Sequence, residues 1–159
     1  MLFRSGLHAY LHGTGIELLA NSDNVVRSGL TSKHVDVPEL LRLLNPAVSV
    51  PLLASCPVAP HITTFDTPAP EFRLYLIDST AYAPAPDPSS PGLPAVTLPG
   101  TGPRLLLCLD GACTLRSASG DTLKLGRGDS CFIPASDGLV HAAGNARLAL
   151  AAPGSPSVR

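Results

Sequence analysis

Residues 7–33, LHAYLHGTGIELLANSDNVVRSGLTSK, hold His8, Glu17, Asp23, Arg27 and Lys33 among apolar and turn-forming neighbours. No later stretch is as dense in reactive side chains. A histidine can ligate a metal ion, and a carboxylate can carry a proton to or from a substrate carbon. Arg27 and Lys33 can meet a phosphate, one as a planar fork and the other as a compact point charge.

These groups need backbone elements to bring them together. Leu7-His8-Ala9-Tyr10-Leu11 mixes apolar and polar positions in a short β-like pattern, and Gly13-Thr14-Gly15 then supplies a turn. A hairpin there would set His8 and Glu17 on neighbouring antiparallel strands. Glu17 is a lone charge inside Ile16–Ala20, so it must face solvent, find a partner or line a cavity. Asn21-Ser22-Asp23-Asn24 reads as a polar turn, which makes Asp23 and Asn24 turn formers first. On residue types alone, Glu17 and Arg27 could equally be a surface ion pair and His8 a structural histidine.

The strings Leu7-His8-Ala9-Tyr10-Leu11, Ala20-Asn21-Ser22-Asp23-Asn24-Val25-Val26-Arg27-Ser28-Gly29-Leu30-Thr31 with Lys33, and Val35-Asp36-Val37-Pro38-Glu39-Leu40 resemble the C-terminal part of the type I phosphomannose isomerases. The resemblance is close over about the first forty residues. It implies an aldose-ketose isomerase that interconverts mannose 6-phosphate and fructose 6-phosphate through an enediol, a reaction that feeds GDP-mannose biosynthesis. It also implies one zinc ion, held by a Gln-x-His pair, a glutamate and the histidine of the His-Ala-Tyr motif. Here that histidine is His8, and the chain contains no glutamine. By the same motif matching, Arg27 assists enediol formation, Glu17 serves in proton transfer or beside the metal, and Tyr10 and Lys33 touch a small sugar-phosphate substrate. The abrupt start of the β-type motif, eight residues in, is read as the tail of a longer fold, with an N-terminal portion missing.

Composition narrows the class further. At 159 residues with 45% hydrophobic and 14% charged side chains, the chain suits one domain or two small lobes with a core. A formal net charge of −1 gives no electrostatic footprint for nucleic acid or an anionic membrane. No apolar stretch is long enough for a transmembrane helix, and Met1-Leu2-Phe3-Arg4-Ser5-Gly6 lacks the apolar run of a secretory signal. A cytoplasmic location is expected. Cys56, Cys108, Cys113 and Cys131 form no C-x-x-C pair and read as buried, reduced thiols. His12, His34, His61 and His141 have no ligand-like mutual spacing.

The expected fold is mainly β, one or more cupin-type jelly-roll barrels with a short helix, incomplete at the N-terminus. Residues 1–45 would end the catalytic cupin domain, 46–103 form a proline-rich connection with one strand at Phe72–Ile77, and 104–152 form a C-terminal cupin-like domain before a tail at 153–159. Asp36 and Pro38 open a helix whose apolar stripe is Leu40, Leu41, Leu43 and Leu44, stabilised by packing on the sheet. Asp110-Gly111 predicts a hairpin between Leu105–Leu109 and Ala112–Ser117, and further strands follow at Thr122–Leu125, Ser130–Ala135 and Ala146–Ala151. The Gly126-Arg127-Gly128-Asp129-Ser130 run resembles a cupin strand-turn-strand. A metal-free cupin module that binds a sugar phosphate or a protein partner is the alternative function.

Overall fold

The structure, a computed structural model, describes residues 9, 11–21, 25–48, 52–79 and 95–154. The chain divides into two compact units, Met1–Ala54 and Ser55–Arg159.

Among its described residues, the first unit contains one helix, α1, spanning Val37–Leu43. The Asp36 carboxylate accepts the Glu39 N–H at 3.0 Å, and Pro38 occupies the first turn, where its missing donor costs nothing. Arg42 donates to both Glu39 oxygens at 2.6 and 2.7 Å one turn later. The hydrogen bond from Arg42 holds the Glu39 carboxyl below its usual range. Leu44 turns extended ahead of Asn45-Pro46 and ends the helix. Of the leucine stripe, Leu41 and Leu43 are exposed and Leu40 and Leu44 half-buried. No residue of α1 is buried, and the described residues between Leu11 and Ser28 form neither helix nor strand.

The second unit is an antiparallel sheet of eight strands: β1 Ser55–Ala59, β2 Ile62–Phe65, β3 Phe72–Asp78, β4 Ala95–Thr97, β5 Arg104–Ser117, β6 Thr122–Gly126, β7 Ser130–Ile133 and β8 Val140–Pro153. The expected mainly β, cupin-type architecture is present. The two fourteen-residue strands β5 and β8 pair with each other from Leu105↔Ala151 to Ser117↔Val140. Each has a second edge that changes partner along its length. β5 takes β7 at Arg104–Leu107 and β6 at Ala112–Arg116, while β8 takes β4 at His141–Ala143 and β3 at Arg147–Pro153. The result is two half-sheets built on one shared pair of strands.

Asp110-Gly111 is therefore not a hairpin turn. β5 continues through it with a register shift between Cys108 and Asp110, because β8 runs unbroken along the same edge. Side chains alternate faces along a strand, so one extra residue reverses which positions point inward. Arg104, Leu106 and Cys108 are buried before the bulge, and Cys113 and Leu115 after it. The turn between β6 and β7 plugs the gap left in the ladder. Cys108 donates to the Asp129 carbonyl at 2.9 Å, the Gly128 N–H donates to Cys108 at 2.8 Å, and the Asp129 carboxylate accepts the Gly126 N–H at 2.8 Å.

Proline-rich residues 46–103 carry more structure than the one expected strand, since β1, β2 and β4 lie there as well. Pro57 is tolerated because β1 is an edge strand, fully exposed and irregular between Pro57 and Ala59. The core is a single cluster drawn from both half-sheets, including Ile62, Ile77, Val96, Leu106, Leu125 and Leu148. Arg104 is buried, at 1% exposure, and donates to the carbonyls of Gly100, Gly102 and Gly138 at 2.7, 3.1 and 2.6 Å. Burial pulls its pKa down, and the nearby Asp137 charge opposes the shift. No buried side-chain polar atom among the described residues lacks a hydrogen-bond partner.

Candidate functional site

Of the five residues that the sequence singles out, His8 and Tyr10 lie outside the described residues, as does the Ser22–Asn24 turn. Glu17 is exposed on a stretch without helix or strand, so the expected hairpin has no described counterpart. Arg27 is half-buried and Lys33 is exposed. No ion pair links Glu17, Arg27 and Lys33 to one another, and the surface-pair reading of Glu17 and Arg27 is not met.

The backbone between Arg27 and Lys33 is bent. Gly29 has φ +142° and Leu30 has φ +54°, so the backbone bends sharply between the two cations. A left-handed conformation is uncommon for a non-glycine residue and costs on the order of 1 kcal/mol or more. The Thr31 hydroxyl then accepts the Lys33 N–H at 3.1 Å, which closes a small turn and fixes the backbone beneath the Lys33 side chain. A glycine-leucine pair carries no sequence signal for such strain, and only the backbone reveals it.

The second unit offers an open depression of about 370 Å³, lined by Cys113, Thr114, Lys124, Asp129 and Gly144 among others. Cys113 is 5% exposed, and burial pushes its thiol up to about 11. Burial likewise raises the Cys108 and Cys131 thiols. Protonated thiols are poor nucleophiles and poor ligands. The expectation of four buried thiols holds for Cys108 and Cys113, with Cys131 half-buried, and fails for Cys56, which is exposed on the edge strand β1. His141 Nδ1 lies 3.0 Å from the Thr97 hydroxyl across the β4–β8 pair, which is a structural contact.

Among the described residues, no group of three or more His, Cys, Asp or Glu side chains could hold a metal ion. A protein zinc site takes three or four such ligands. The described residues therefore do not fit a zinc ion on their own. No described helix is long and apolar enough to cross a membrane.

Comparison with known proteins places this arrangement in context. Residues 103–153, which run from just before β5 to the end of β8, match the family model for the cupin domain of mannose-6-phosphate isomerase. Mannose-6-phosphate isomerase 1 of Arabidopsis thaliana is 37% identical over 145 residues, covering 90% of this chain and 31% of that protein. The Salmonella typhimurium isomerase is 33% identical over 150 residues, covering 93% of this chain and 35% of its own length. A crystal structure of that isomerase bound to its substrate f6p and a zinc atom superposes with a TM-score of 0.65 at 31% identity, over 86% of this chain and 32% of that one. The chain is related to the mannose-6-phosphate isomerases along most of its length, as its N-terminal motifs imply, and it spans about a third of the relatives it matches.

Proposed function

We propose that this relative of the mannose-6-phosphate isomerases supplies part of the active site of an enzyme that interconverts mannose 6-phosphate and fructose 6-phosphate. The observation that carries the reading is a spacing. Three solved variants of the Salmonella isomerase replace with alanine a histidine, a glutamate and an arginine that lie nine and then ten positions apart. His8, Glu17 and Arg27 repeat those residue types at the same two intervals. Four other variants replace two lysines, a histidine and a glutamate much earlier in that protein, in the part this chain does not match.

In this reading the open-chain sugar phosphate moves one proton between C1 and C2 while the adjacent oxygens exchange carbonyl and hydroxyl character. Charge develops on those oxygens at the enediol stage, and a fixed guanidinium at Arg27 stabilises it most where water is excluded. Glu17 carries a proton, and Tyr10 and Lys33 orient the substrate, Lys33 as a cation for the phosphate. A zinc ion, when bound, would polarise the carbonyl. Only His8 of the implied ligands is present in this chain, so the other ligands come from outside it.

The test is a coupled isomerase assay on a hybrid in which this chain replaces the third of the Salmonella isomerase that it matches. The expected result is turnover that falls about 10²–10³-fold in Arg27→Ala, the loss typical of one charge-stabilising donor, with little change in KM. A folded hybrid without turnover, or full turnover in the Arg27→Ala hybrid, overturns the reading. Saturable binding of mannose 6-phosphate without turnover would leave the metal-free binding module instead.

A further inference from the structure

Beyond the register shift in β5, the second half-sheet has one face in the core and one outside it. Cys113, Leu115, Leu125, Val96 and Ala142 turn into the core. The alternate positions Thr114 and Arg116 on β5, Lys124 on β6, His141 and Ala143 on β8 and Thr97 on β4 therefore share the opposite face. Register sets them in two rows. Thr97, His141 and Arg116 lie side by side in one, and Ala143, Thr114 and Lys124 in the next.

This face gathers positive charge on a chain whose formal net charge is −1. Arg116 and Lys124 are exposed and sit diagonally across the β5–β6 pair, a separation that long side chains bridge. Neither makes a hydrogen bond or ion pair among the described residues. Two such cations repel each other, and an anion held between them removes that repulsion. The His141 ring extends the row. Its Nδ1 faces the Thr97 hydroxyl at 3.0 Å, so Nε2 is the ring atom left for a ligand. The carboxylates bordering this face are engaged in turns. Asp129 accepts the Gly126 N–H at 2.8 Å, at the end of the β5–β6 ladder away from Arg116, and Asp121 accepts the Ser119 hydroxyl at 2.6 Å.

Thr114, Lys124 and Ala143 also line the open depression of about 370 Å³, a volume typical of small-molecule sites. Ala112, Ala143 and Gly144 contribute to its lining with little or no side chain, which leaves room above the sheet backbone. We propose that this face binds a small phosphate monoester, with the phosphoryl oxygens on Arg116, Lys124 and the Thr114 hydroxyl and the organic part over the small residues of the depression. A phosphoryl dianion suits the set, because its tetrahedral oxygens take a forked guanidinium, a compact ammonium and a hydroxyl together. The site belongs to the second unit and uses none of Glu17, Arg27 and Lys33. It therefore does not rest on the isomerase reading.

Titration of the full chain with glycerol 3-phosphate, followed by amide chemical shifts, tests this, with inorganic phosphate and glycerol as parallel arms. Saturable shifts are expected at residues 112–116, 122–126 and 141–144 with the ester, and none with glycerol. Arg116→Gln with Lys124→Gln should weaken binding at least about 10-fold, since each cation supplies a charge-assisted contact. Both side chains are exposed, so the Tm of the double variant should match that of the parent. Lys124→Arg keeps the charge and should keep the binding, and Thr114→Val should weaken it without any change of charge. Shifts that are absent or do not saturate overturn the proposal, as does a folded double variant that binds as tightly as the parent. Shifts abolished by sodium chloride at equal ionic strength overturn it too, because they would report non-specific ion pairing. Inorganic phosphate binding as tightly as the ester overturns the assignment of the depression to the organic part.

Discussion

Ser79 and the main chain of Ala146 share two hydrogen bonds through the serine hydroxyl: Oγ donates to the Ala146 carbonyl at 2.9 Å and accepts the Ala146 N–H at 2.9 Å. The Ser79 main-chain N–H donates to the same carbonyl at 2.9 Å, and the hydroxyl supplies the acceptor that a strand carbonyl supplies elsewhere. It continues the β3–β8 pairing one step past Asp78, where β3 ends.

Ser79→Ala leaves the Ala146 N–H buried and unsatisfied, because Ser79 is 1% exposed and Ala146 equally so. The expected loss is about 1–3 kcal/mol, read as a lower urea midpoint with an unchanged slope. No change in midpoint would mean that water replaces the hydroxyl.

Gly144 has φ +134°, and a Cβ there would lie 2.6 Å from the Ala112 carbonyl oxygen and 2.9 Å from the Cys113 Cα. Both are backbone atoms of the paired strand and cannot swing away. Gly144→Ala is expected to destabilise the sheet by more than about 2 kcal/mol or to prevent soluble expression, whereas Gly120→Ala, which meets nothing within 4 Å, costs only its own positive φ of +94°. Equal midpoints for the two variants would overturn the close-approach argument.

Cys113 makes stability depend on alkaline pH. Its thiol sits near 9.0 in an unfolded chain and is pushed up to about 11 by burial. Between those values the unfolded chain releases a proton that the folded chain keeps, so stability falls as pH rises through that window. The loss is absent below pH 9. Urea midpoints measured from pH 8 to 10.5 should decline, and less so in Cys113→Ala. In the same native protein at pH 8, a thiol reagent should modify Cys56 quickly and Cys108 and Cys113 only after denaturant is added.

Zinc removal should be silent in the chain alone. With no ligand cluster among the described residues and at most His8 from the motif, the purified chain is expected to keep less than stoichiometric metal through mild chelation, with no change in Tm. Zinc that resists chelator at one ion per chain would show that this polypeptide completes its own site.

Much of the sheet is legible in the sequence because its signals are local. The Phe72 strand, the turn at Gly126–Asp129 and the Asp36 cap all announce themselves within a few residues. What escapes is non-local. Asp110-Gly111 carries a turn signature, but β8, far along the chain, holds β5 straight through it. β1 and β2 are short and β1 is interrupted by Pro57, so their pairing outweighs any periodicity. The chemistry-bearing residues show the reverse pattern: Glu17, Arg27 and Lys33 stand out by type and spacing, while no ion pair joins them among the described residues.

The shared pair β5 and β8 also constrains how the second unit forms and opens. Leu105 meets Ala151 while Ser117 meets Val140, so one ladder joins residues close in the chain to residues far apart. Closing the distant end costs loop entropy before its contacts repay it, which makes assembly slow and places it late. Since both half-sheets hang from that one ladder, neither can fray as an independent foldon, and the unit should lose its structure in a single concerted step.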